Sequence, residues 1–513
     1  MKRAICIFLT ISLIFALCGC KKEEESGSGF ESFNHEIRQG GTIEAYILRP
    51  DTLNPLTTKI EINRRMFSLC FDPLFYIDSQ SNLLPRLAKS YKISDNGKKM
   101  TIKLREDVKW HNGDEFTAAD VIYTIKNITG DENSYYCNAL SELISKARTV
   151  DDYTVDIYLN YCNSGAAALL TFPIIKKGSG YSEGFTPIGT GAFMISENTG
   201  ESPICLKKNP QWKCGRAYAD SVNLNILPDE ESVFSAFSTG VIDFVHITKE
   251  NAGKFSVSEN IGYLPTYSQK YNFIGINCDN PLLADSDVRA VISSAIDRET
   301  FAGAVFSDYA IGTTLPIHPK AYFYDTPSAF VNPPSVEKMD GKLFFRKNAG
   351  EDALAMEFTL LVNEENGSRC TAADHIATML GEKGISVKVI RTDFETYKAR
   401  IKEGNFEMYM GSTNLSCDIN LHPALGIGGN LNYGNFADAE TERLLNKLLA
   451  AENVSDRTEL LHNIQKEFYA KTPHIPLCFE NEMIVYNTAK LGNVHTVFSN
   501  NVFSFVTMCC VNK

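Results

Sequence analysis

The chain has 513 residues, of which 44% are hydrophobic and 22% are charged, and its formal net charge is −12. A chain of this length exceeds a single core and predicts two or three domains, and its composition is that of an ordinary globular protein, which excludes a disordered chain. An acidic surface repels phosphate backbones, so we expect no nucleic-acid partner.

The N-terminus has the pattern of a secretory signal. Lys2 and Arg3 precede the apolar run "AICIFLTISLIFALC", which is shorter than the roughly 20 residues that span a bilayer. The run leads into "LCGC", which resembles a bacterial lipobox, whose last cysteine is acylated and becomes the first residue of the mature chain. We therefore expect a signal peptide over residues 1–19, lipidation of Cys20 and a flexible tether over residues 20–39. A plain signal peptide with an incidental cysteine is the alternative.

This N-terminus predicts an extracytoplasmic protein that is held by lipid at the outer face of the cytoplasmic membrane, at the cell surface or in a periplasm. After Cys20 the sequence has no run of about 18 consecutive apolar residues, so we expect no further membrane element.

The chain has 14 cysteines, and eleven of them follow Cys20. Because that number is odd, at least one thiol stays unpaired unless it pairs between molecules. Cys205 and Cys214 flank a short loop and could bridge it, whereas most of the others are expected to be small buried apolar residues. Their spacings match no zinc pattern.

The first regular element after the tether is "GGTIEAYIL", where Ile43, Ala45 and Ile47 alternate with polar residues as in a half-buried strand. Residues 104–125, "LREDVKWHNGDEFTAADVIYTI", then combine the end of a strand with a turn and a helix. Asn112-Gly113 predicts the turn.

Thr117, with Asp120 three residues later, has the pattern of a capping box at the start of that helix. We expect Trp110 to wedge between the strand and the helix. His111, Asp114 and Glu115 invite a catalytic interpretation, but no nucleophile or metal-ligand spacing accompanies them, so turn and helix-entry roles are favoured.

Further strands are predicted at "YTVDIYLN", "TPIGTGAFMI" and "HIPLCFENEMIVYN". One helix is predicted around residues 286–296, a second begins after Asp297 as its cap, and two more are separated by residues 453–456. The stretch from Pro316 to Pro334 is irregular and predicts a long surface excursion. Helices and strands alternate throughout, which predicts a mixed α/β fold.

In order and spacing these segments resemble the extracellular solute-binding proteins of family 5, the oligopeptide, dipeptide and nickel receptors of ABC importers. The resemblance runs from about Gly40 to Asn487 and is most specific over residues 104–125. There, the family's signature positions are occupied by Arg105, Val108, Trp110, His111, Gly113 and Phe116.

The resemblance implies a two-lobed, periplasmic-binding-protein-like type II fold with three structural domains and a hinged central cleft. Lobe 1 would combine residues 40–75, 184–281 and 481–513, with residues 76–183 as an inserted second domain. Residues 282–480 would form lobe 2. The implied function is the capture of extracellular peptides by hinge closure and their delivery to the transmembrane subunits of an ABC permease, by a protein that we expect to be monomeric and not an enzyme.

For peptide binding the resemblance implies a carboxylate in lobe 2 that holds the ligand's ammonium group, and Asp418 is the matching residue. Asn432 and Tyr433, just downstream, are candidates to line the cleft. The segment departs from the family pattern, because Gly411 is followed by Ser412 where many relatives have a tryptophan. Asp418 capping a turn, and loop packing by Asn432 and Tyr433, are therefore the alternatives.

Two other functions have some support in the sequence. His422 near Asp418 could favour a nickel or other metal chelate, and haem and other small solutes stay open, but no His-rich tract supports a metal site, and neither a metal nor a cofactor is predicted. Residues 180–184, "GYSEG", fit the GxSxG pattern of serine hydrolases, with Ser182 as nucleophile. That motif needs a strand immediately before it and a helix after it, which the flanking sequence does not provide.

Overall fold

The computed structural model describes residues 39–181, 185–196, 202–254, 260–326, 336–346, 352–495 and 508–510. The predicted signal peptide, Cys20, nearly all of the tether and Ser182 lie outside these residues. No helix within the described ranges is long and apolar enough to span a membrane.

The strands are β1 (Thr42–Leu48), β2 (Phe75–Ile77), β3 (Leu83–Pro85), β4 (Ala88–Ser94), β5 (Lys99–Leu104), β6 (Ile144–Asp151), β7 (Thr154–Leu159), β8 (Phe193–Ile195), β9 (Ile204–Lys208), β10 (Ser221–Leu227), β11 (Phe244–Ile247), β12 (Ile261–Ile276), β13 (Ala310–Gly312), β14 (Val336–Met339), β15 (Lys342–Phe345), β16 (Leu354–Ala355), β17 (Glu357–Asn363), β18 (Ser386–Thr392), β19 (Met408–Asn414), β20 (His474–Asn487), β21 (Leu491–Gly492) and β22 (Cys509–Cys510).

The α-helices are α1 (Glu61–Phe67), α2 (Ala118–Thr129), α3 (Cys137–Leu143), α4 (Glu230–Ser238), α5 (Ser286–Ser294), α6 (Arg298–Phe306), α7 (Gly367–Lys383), α8 (Phe394–Lys402), α9 (His422–Leu425), α10 (Ala439–Ala450) and α11 (Val454–Lys471). Short 3-10 helices occupy Ala166–Leu169, Lys249–Lys254 and Ser307–Tyr309.

One four-stranded sheet has the order β1-β10-β9-β8. Ile43, Ala45 and Ile47 of β1 are buried, which confirms the predicted strand. β1 and β10 run parallel with Leu48 opposite Leu227, so their carboxyl ends lie side by side. The chain continues from these ends into the segments that contain α1 and α4.

A second four-stranded sheet, β4-β5-β7-β6, is antiparallel and carries α2 on one face. Thr117 and Asp120 form the predicted capping box at the start of α2. Trp110 is 1% exposed and donates from Nε1 to the Asp120 carboxylate at 3.3 Å. Gly113 has a φ of 91°, a conformation that glycine adopts without strain. The predicted turn, cap and buried tryptophan are confirmed.

The largest sheet has the order β11-β20-β12-β19-β17-β18, and β13 pairs with β20. β12 and β20 are long antiparallel strands whose register is irregular between Tyr267 and Tyr271. The first half of β12 pairs with the second half of β20, and that half of β20 also pairs with β11 on its other side. The second half of β12 pairs with the first half of β20 and, on its other side, with β19. The two strands therefore connect β11 at one side to β17, β18 and β19 at the other.

The helices after residue 282 confirm several predictions. Asp297 caps α6 by accepting from the backbone N–H groups of Glu299 and Thr300. The two predicted helices α10 and α11 are present, but Asn453 caps α11 and the break between them covers residues 451–453, rather than the predicted 453–456.

The prediction of a surface excursion after Pro316 is wrong for its described part. Ile317, Ala321 and Phe323 are buried in a core with residues of α10 and α11, including Leu445 and Leu461. These three apolar side chains supply part of this core, although the described residues 316–326 form no helix or strand.

The proposed bridge between Cys205 and Cys214 is absent, and both thiols are free. The Sγ of Cys214 instead donates to the Arg86 carbonyl oxygen at 3.5 Å. Cys70, Cys137, Cys478 and Cys509 are also free, and they are buried in the manner of small apolar side chains.

Candidate ligand-binding site

Two neighbouring pockets lie at the carboxyl ends of parallel strands, where the ligands of open α/β sheets bind. The first pocket, of about 210 Å³, lies beyond the ends of β1 and β10. Its lining comprises Tyr46, Leu48, Ile60, Glu61, Ile62, Arg65, Glu230, Val233, Phe234, His246, Thr248, Asn251 and Glu482.

Arg65 is the centre of a cluster of polar groups in the first pocket. Its Nη2 donates to the carboxylates of Glu61, at 2.5 Å, and Glu482, at 2.9 Å. Its Nη1 donates to the imidazole of His246 at 2.8 Å. Arg65 is only 7% exposed, yet its Nε is buried with no hydrogen-bond acceptor among the described residues.

Burial sets the protonation of this cluster. It lowers the pKa of His246 well below its ordinary value, with the charge of Arg65 adding to the effect, so the imidazole is neutral at physiological pH. Burial also raises the pKa of Glu482, against the opposing effect of Arg65. It raises the pKa of Tyr46 to about 12, so the phenol stays protonated. Arg65 is thus the one cation among the residues that line the first pocket.

The second pocket, of about 90 Å³, lies beyond the carboxyl ends of β17 and β19. It is lined by Lys249, Glu250, Lys270, Asn272, Phe301, Phe306, Asn366, Ser368, Arg369, Ala372, Met410, Ser412 and Glu480. Arg369 donates to Ser412 at 2.8 Å, and Lys270 pairs with Glu480 at 2.8 Å.

The two pockets share a wall. The consecutive residues 248–251 alternate between them, because Thr248 and Asn251 line the first pocket whereas Lys249 and Glu250 line the second. In β20, Glu482 lines the first pocket and Glu480 lines the second. The two pockets therefore lie side by side, with the segment 248–251 and β20 between them.

Asp418 lies elsewhere, at a seam between the sheet β4-β5-β7-β6 and the helices α10 and α11. It is 4% exposed, and its Oδ2 accepts from the Asn163 side chain at 2.6 Å. Its Oδ1 accepts from the backbone N–H of Asn420 at 3.1 Å, a turn contact. Arg457 donates to the Asp418 carbonyl oxygen and, at 2.6 Å, to the Ser164 hydroxyl.

Gly165 makes this close approach possible. A Cβ at that position would lie 2.1 Å from the Asp418 carbonyl oxygen, so any larger residue would force the two segments apart. Both carboxylate oxygens of Asp418 have protein partners here, and its predicted ligand-binding role remains a prediction.

Asn432 and Tyr433 lie in the loop after α9. The Asn432 amide donates to the carbonyl oxygens of Gly426 and Phe436, at 3.0 and 2.8 Å, and accepts from the Phe436 N–H at 3.1 Å. Tyr433 is half-buried against a small apolar cluster that includes Tyr409 and Phe406. The ligand-binding roles of these two residues also remain predictions.

The other candidate polar residues have structural partners. His422 pairs with Glu442 at 3.2 Å. His111 accepts from the Gly189 N–H at 3.2 Å and lies 3.1 Å from the Gly191 carbonyl oxygen, and burial lowers its pKa to about 4. In the described part of the chain, no group of three or more His, Cys, Asp or Glu side chains is arranged to hold a metal ion.

The family model "Bacterial extracellular solute-binding proteins, family 5 Middle" matches residues 82–419. The protein belongs to this family. The family-5 protein is therefore a non-enzymatic binding protein of an ABC importer, and the predicted family membership is confirmed.

Two curated relatives show how widely solutes vary among similar proteins. The oligopeptide-binding protein AppA of Bacillus subtilis is 24% identical over 496 residues, which cover 90% of each chain. The heme-binding protein A of Haemophilus influenzae is 22% identical over 465 residues, which cover 83% of this chain and 84% of that protein.

Solved structures give the fold. The murein tripeptide-binding protein MppA in an unliganded open form has a TM-score of 0.76 at 18% identity, covering 94% of this family-5 protein and 99% of MppA. A nickel ABC transporter protein from Bacillus halodurans has a TM-score of 0.74 at 20% identity, with coverage of 90% and 99%. The predicted mixed α/β, periplasmic-binding-protein-like fold is confirmed.

Sequence reasoning missed the first pocket of this family-5 protein. Arg65 and Glu482 are 417 positions apart, and no local pattern pairs them. The available signal was Glu480 and Glu482 within the otherwise apolar "HIPLCFENEMIVYN", because a strand that is buried on both faces retains carboxylates only where they have partners.

Proposed function

We propose that this protein captures extracellular peptides and delivers them to the transmembrane subunits of an ABC importer. The observation that carries the proposal is the pair of adjoining pockets, whose linings offer carboxylates, cations and amides. A peptide presents main-chain donors and acceptors along its length and a charge at each end, so it can use such a region regardless of its side chains. The name of the relative AppA, an oligopeptide-binding protein, supports the same solute class.

The proposed capture is a hinge closure of two lobes. Lobe 1 comprises residues 40–75, 184–281 and 481–513, with residues 76–183 inserted, and lobe 2 comprises residues 282–480. The irregular register between Tyr267 and Tyr271 is the proposed bending point, because missing ladder bonds lower the resistance of paired strands to bending. A solute that contacts both pockets stabilises the closed form.

The proposal includes a lipid anchor at Cys20, which keeps the receptor beside its permease, and a monomeric receptor. The solute-binding roles that the sequence predicts for Asp418, Asn432 and Tyr433 are an alternative to the two pockets and are tested separately. The polar groups of Asp418 and Asn432 already have protein partners, so a solute that contacts the Asp418 carboxylate has to displace Asn163.

The direct test is ligand-dependent thermal stability of the mature chain with an equimolar pool of synthetic tri- to pentapeptides, with nickel and with haem. We expect the peptide pool alone to raise the melting temperature, since a ligand at 100 times its Kd adds about 2.7 kcal/mol of stability. The peptides should be recovered intact by mass spectrometry. Stabilisation by nickel or haem but not by peptides would contradict the proposal.

Hinge closure is tested separately by small-angle X-ray scattering. The radius of gyration should fall when the peptide pool is added, and an unchanged radius despite binding would contradict closure.

A further inference from the structure

The sheet β4-β5-β7-β6 has one buried face and one face that is open to solvent. Met100 and Ile102 of β5 are fully buried on the face that carries α2. Side chains alternate between the two faces of a strand, so Lys99, Thr101 and Lys103 lie on the opposite face. We call this opposite face, with its neighbours on β4, β6 and β7, the outer face of the sheet.

The outer face is basic although the chain is acidic. In the whole chain acidic residues outnumber basic ones, 62 to 50. The strand register brings together on the outer face the cations Lys92 of β4, Lys99 and Lys103 of β5, and Lys146 and Arg148 of β6. The carboxylates of the same strands on this face are Asp156 and, at the end of β6, Asp151. The balance of charge is thus reversed here, and a patch of this kind determines which partners a protein attracts.

Two of the cations are occupied by a buried carboxylate. Asp156 is 3% exposed, and it pairs with Lys99 at 3.2 Å and with Arg148 at 2.9 Å. The same two cations lie over the ring of Tyr158, at 5.5 and 5.4 Å from its centroid. These contacts account for the presence of Lys99 and Arg148 within the structure of the sheet itself.

The other three cations have no such role. Lys92, Lys103 and Lys146 are exposed, and none of them takes part in an ion pair among the described residues. Their cross-strand neighbours are serine, threonine and tyrosine residues, which are uncharged. Like charges on one surface repel each other, so an anionic partner lowers the free energy of this face.

A membrane that contains anionic lipids fits this face. The three lysines are spread over three strands of an open sheet rather than gathered in a pocket, which suits an extended anionic surface better than one small anion. The proposed lipid anchor at Cys20 keeps such a surface within reach, because residues 20–39 span at most about 70 Å even when fully extended. Basic residues are attracted to anionic headgroups within a Debye length of the membrane.

We propose that the outer face of β4-β5-β7-β6 docks on the anionic lipids of the membrane that carries the anchor, and that it sets the orientation of the receptor there. Glu106, Asp107 and Asp152 follow in the turns at one end of the sheet, so repulsion from the same lipids turns that end away from the membrane. This inference rests on the proposed lipid anchor and involves no contact with a solute.

The test measures vesicle binding of the mature chain with Cys20→Ser, so that no acyl chain contributes. Co-sedimentation compares vesicles of phosphatidylcholine alone with vesicles of phosphatidylcholine and phosphatidylglycerol in equal amounts. We expect the anionic vesicles to bind the chain about 10- to 100-fold more strongly, which is the range that three lysines near an anionic surface provide. A rise in salt from about 0.1 M to about 1 M shortens the Debye length from about 10 Å to about 3 Å and should abolish this preference.

A triple variant identifies the face. Lys92→Glu, Lys103→Glu and Lys146→Glu combined should remove the preference for anionic vesicles, and glutamine at the same three positions should reduce it by a smaller factor. The matched control reverses three exposed lysines of other elements and therefore has the same net charge, with the substitutions Lys207→Glu, Lys388→Glu and Lys402→Glu. It should retain most of the preference. Circular dichroism and the melting temperature establish that each variant is folded.

The proposal is overturned if the unmutated chain binds both kinds of vesicle equally, or if the control loses the preference as fully as the variant of the outer face does. Binding to the purified permease subunits that depends on the three lysines, without binding to anionic vesicles, would assign the face to a protein partner instead. Vesicle binding needs no peptide, whereas the thermal-stability test of peptide binding needs no membrane, so the two proposals fail separately. The mass of the exported protein tests the anchor itself, since Cys20 should carry acyl chains.

Discussion

The first pocket and the contact region around Asp418 have similar side chains, but they differ in how many of their hydrogen-bonding groups have partners within the protein. Each contains a buried arginine and a carboxylate. Arg65 donates to the Glu482 carboxylate, whereas Arg457 donates to the backbone carbonyl oxygen of Asp418. At the seam, both oxygens of Asp418 have protein donors. In the first pocket, carboxylates outnumber the cation and a buried donor of Arg65 is unpaired.

This difference separates a structural contact from a binding site. A polar cluster whose donors and acceptors are all paired within the chain gains nothing from a solute, since binding would first break those pairs. A cluster in which carboxylates outnumber cations beside a cavity favours a positively charged solute group. The comparison predicts that substitutions at the seam change stability, and that substitutions in the first pocket change binding as well.

The largest effect is expected for Arg65→Met. The substitution keeps an apolar stem but leaves the carboxylate of Glu482 without its cation, and breaking a buried pair in this way costs about 3–5 kcal/mol. Urea unfolding measures the loss. Arg457→Met is the matched control at the seam and should cost less, about 1–3 kcal/mol, because Asp418 keeps its side-chain partners. An equal or larger loss of unfolding free energy for Arg457→Met would contradict the proposed difference between the two regions.

Asp418→Ala should lower the free energy of unfolding by about 1–3 kcal/mol, because the fully buried Asn163 amide loses its acceptor. Its affinity for the peptide pool, measured by isothermal titration calorimetry, should stay unchanged. A large loss of affinity at unchanged stability would instead establish Asp418 as a ligand-binding residue.

The pH dependence of peptide affinity sharpens the comparison further. Glu482 attracts a positively charged solute group only when it is ionised, and burial raises its pKa above the ordinary value for glutamate, against the effect of Arg65. Affinity should therefore fall on acidification, beginning at a higher pH than for an exposed glutamate, by at most about tenfold per pH unit. Glu482→Gln should flatten this profile, whereas Asp418→Asn should not. A profile unaffected by Glu482→Gln would assign the titration to another group.

The smallest effect on stability is expected for Asn432→Ala, which removes three hydrogen bonds within the loop after α9. We expect about 1 kcal/mol less stability and no change in peptide affinity. Tyr433→Phe serves as a control that keeps the ring packed beside Tyr409. A fall in affinity for either variant would support the cleft-lining roles predicted from the sequence.

Local patterns in the sequence predicted much of the fold. The alternation in β1, the capping box of Thr117 and Asp120 and the cap at Asp297 depend on residues within a few positions of each other. The stretch after Pro316 was misinterpreted because its prolines suggested a surface loop, whereas Ile317 and Phe323 are buried against helices more than 100 positions away.

The candidate site could not be derived in the same way. Asp418 was found by its resemblance to a family motif, but its partner Asn163 is 255 positions away. Arg65 and Glu482 are farther apart still, and each is an unremarkable charged residue until the chain folds. Charge balance and unpaired donors are properties of a folded pocket, so they become visible only when distant segments meet.

The most direct measurement is mass spectrometry of the small molecules that are released when the purified mature protein is denatured. The account predicts intact peptides of varied sequence. Nickel or haem in place of peptides would contradict it.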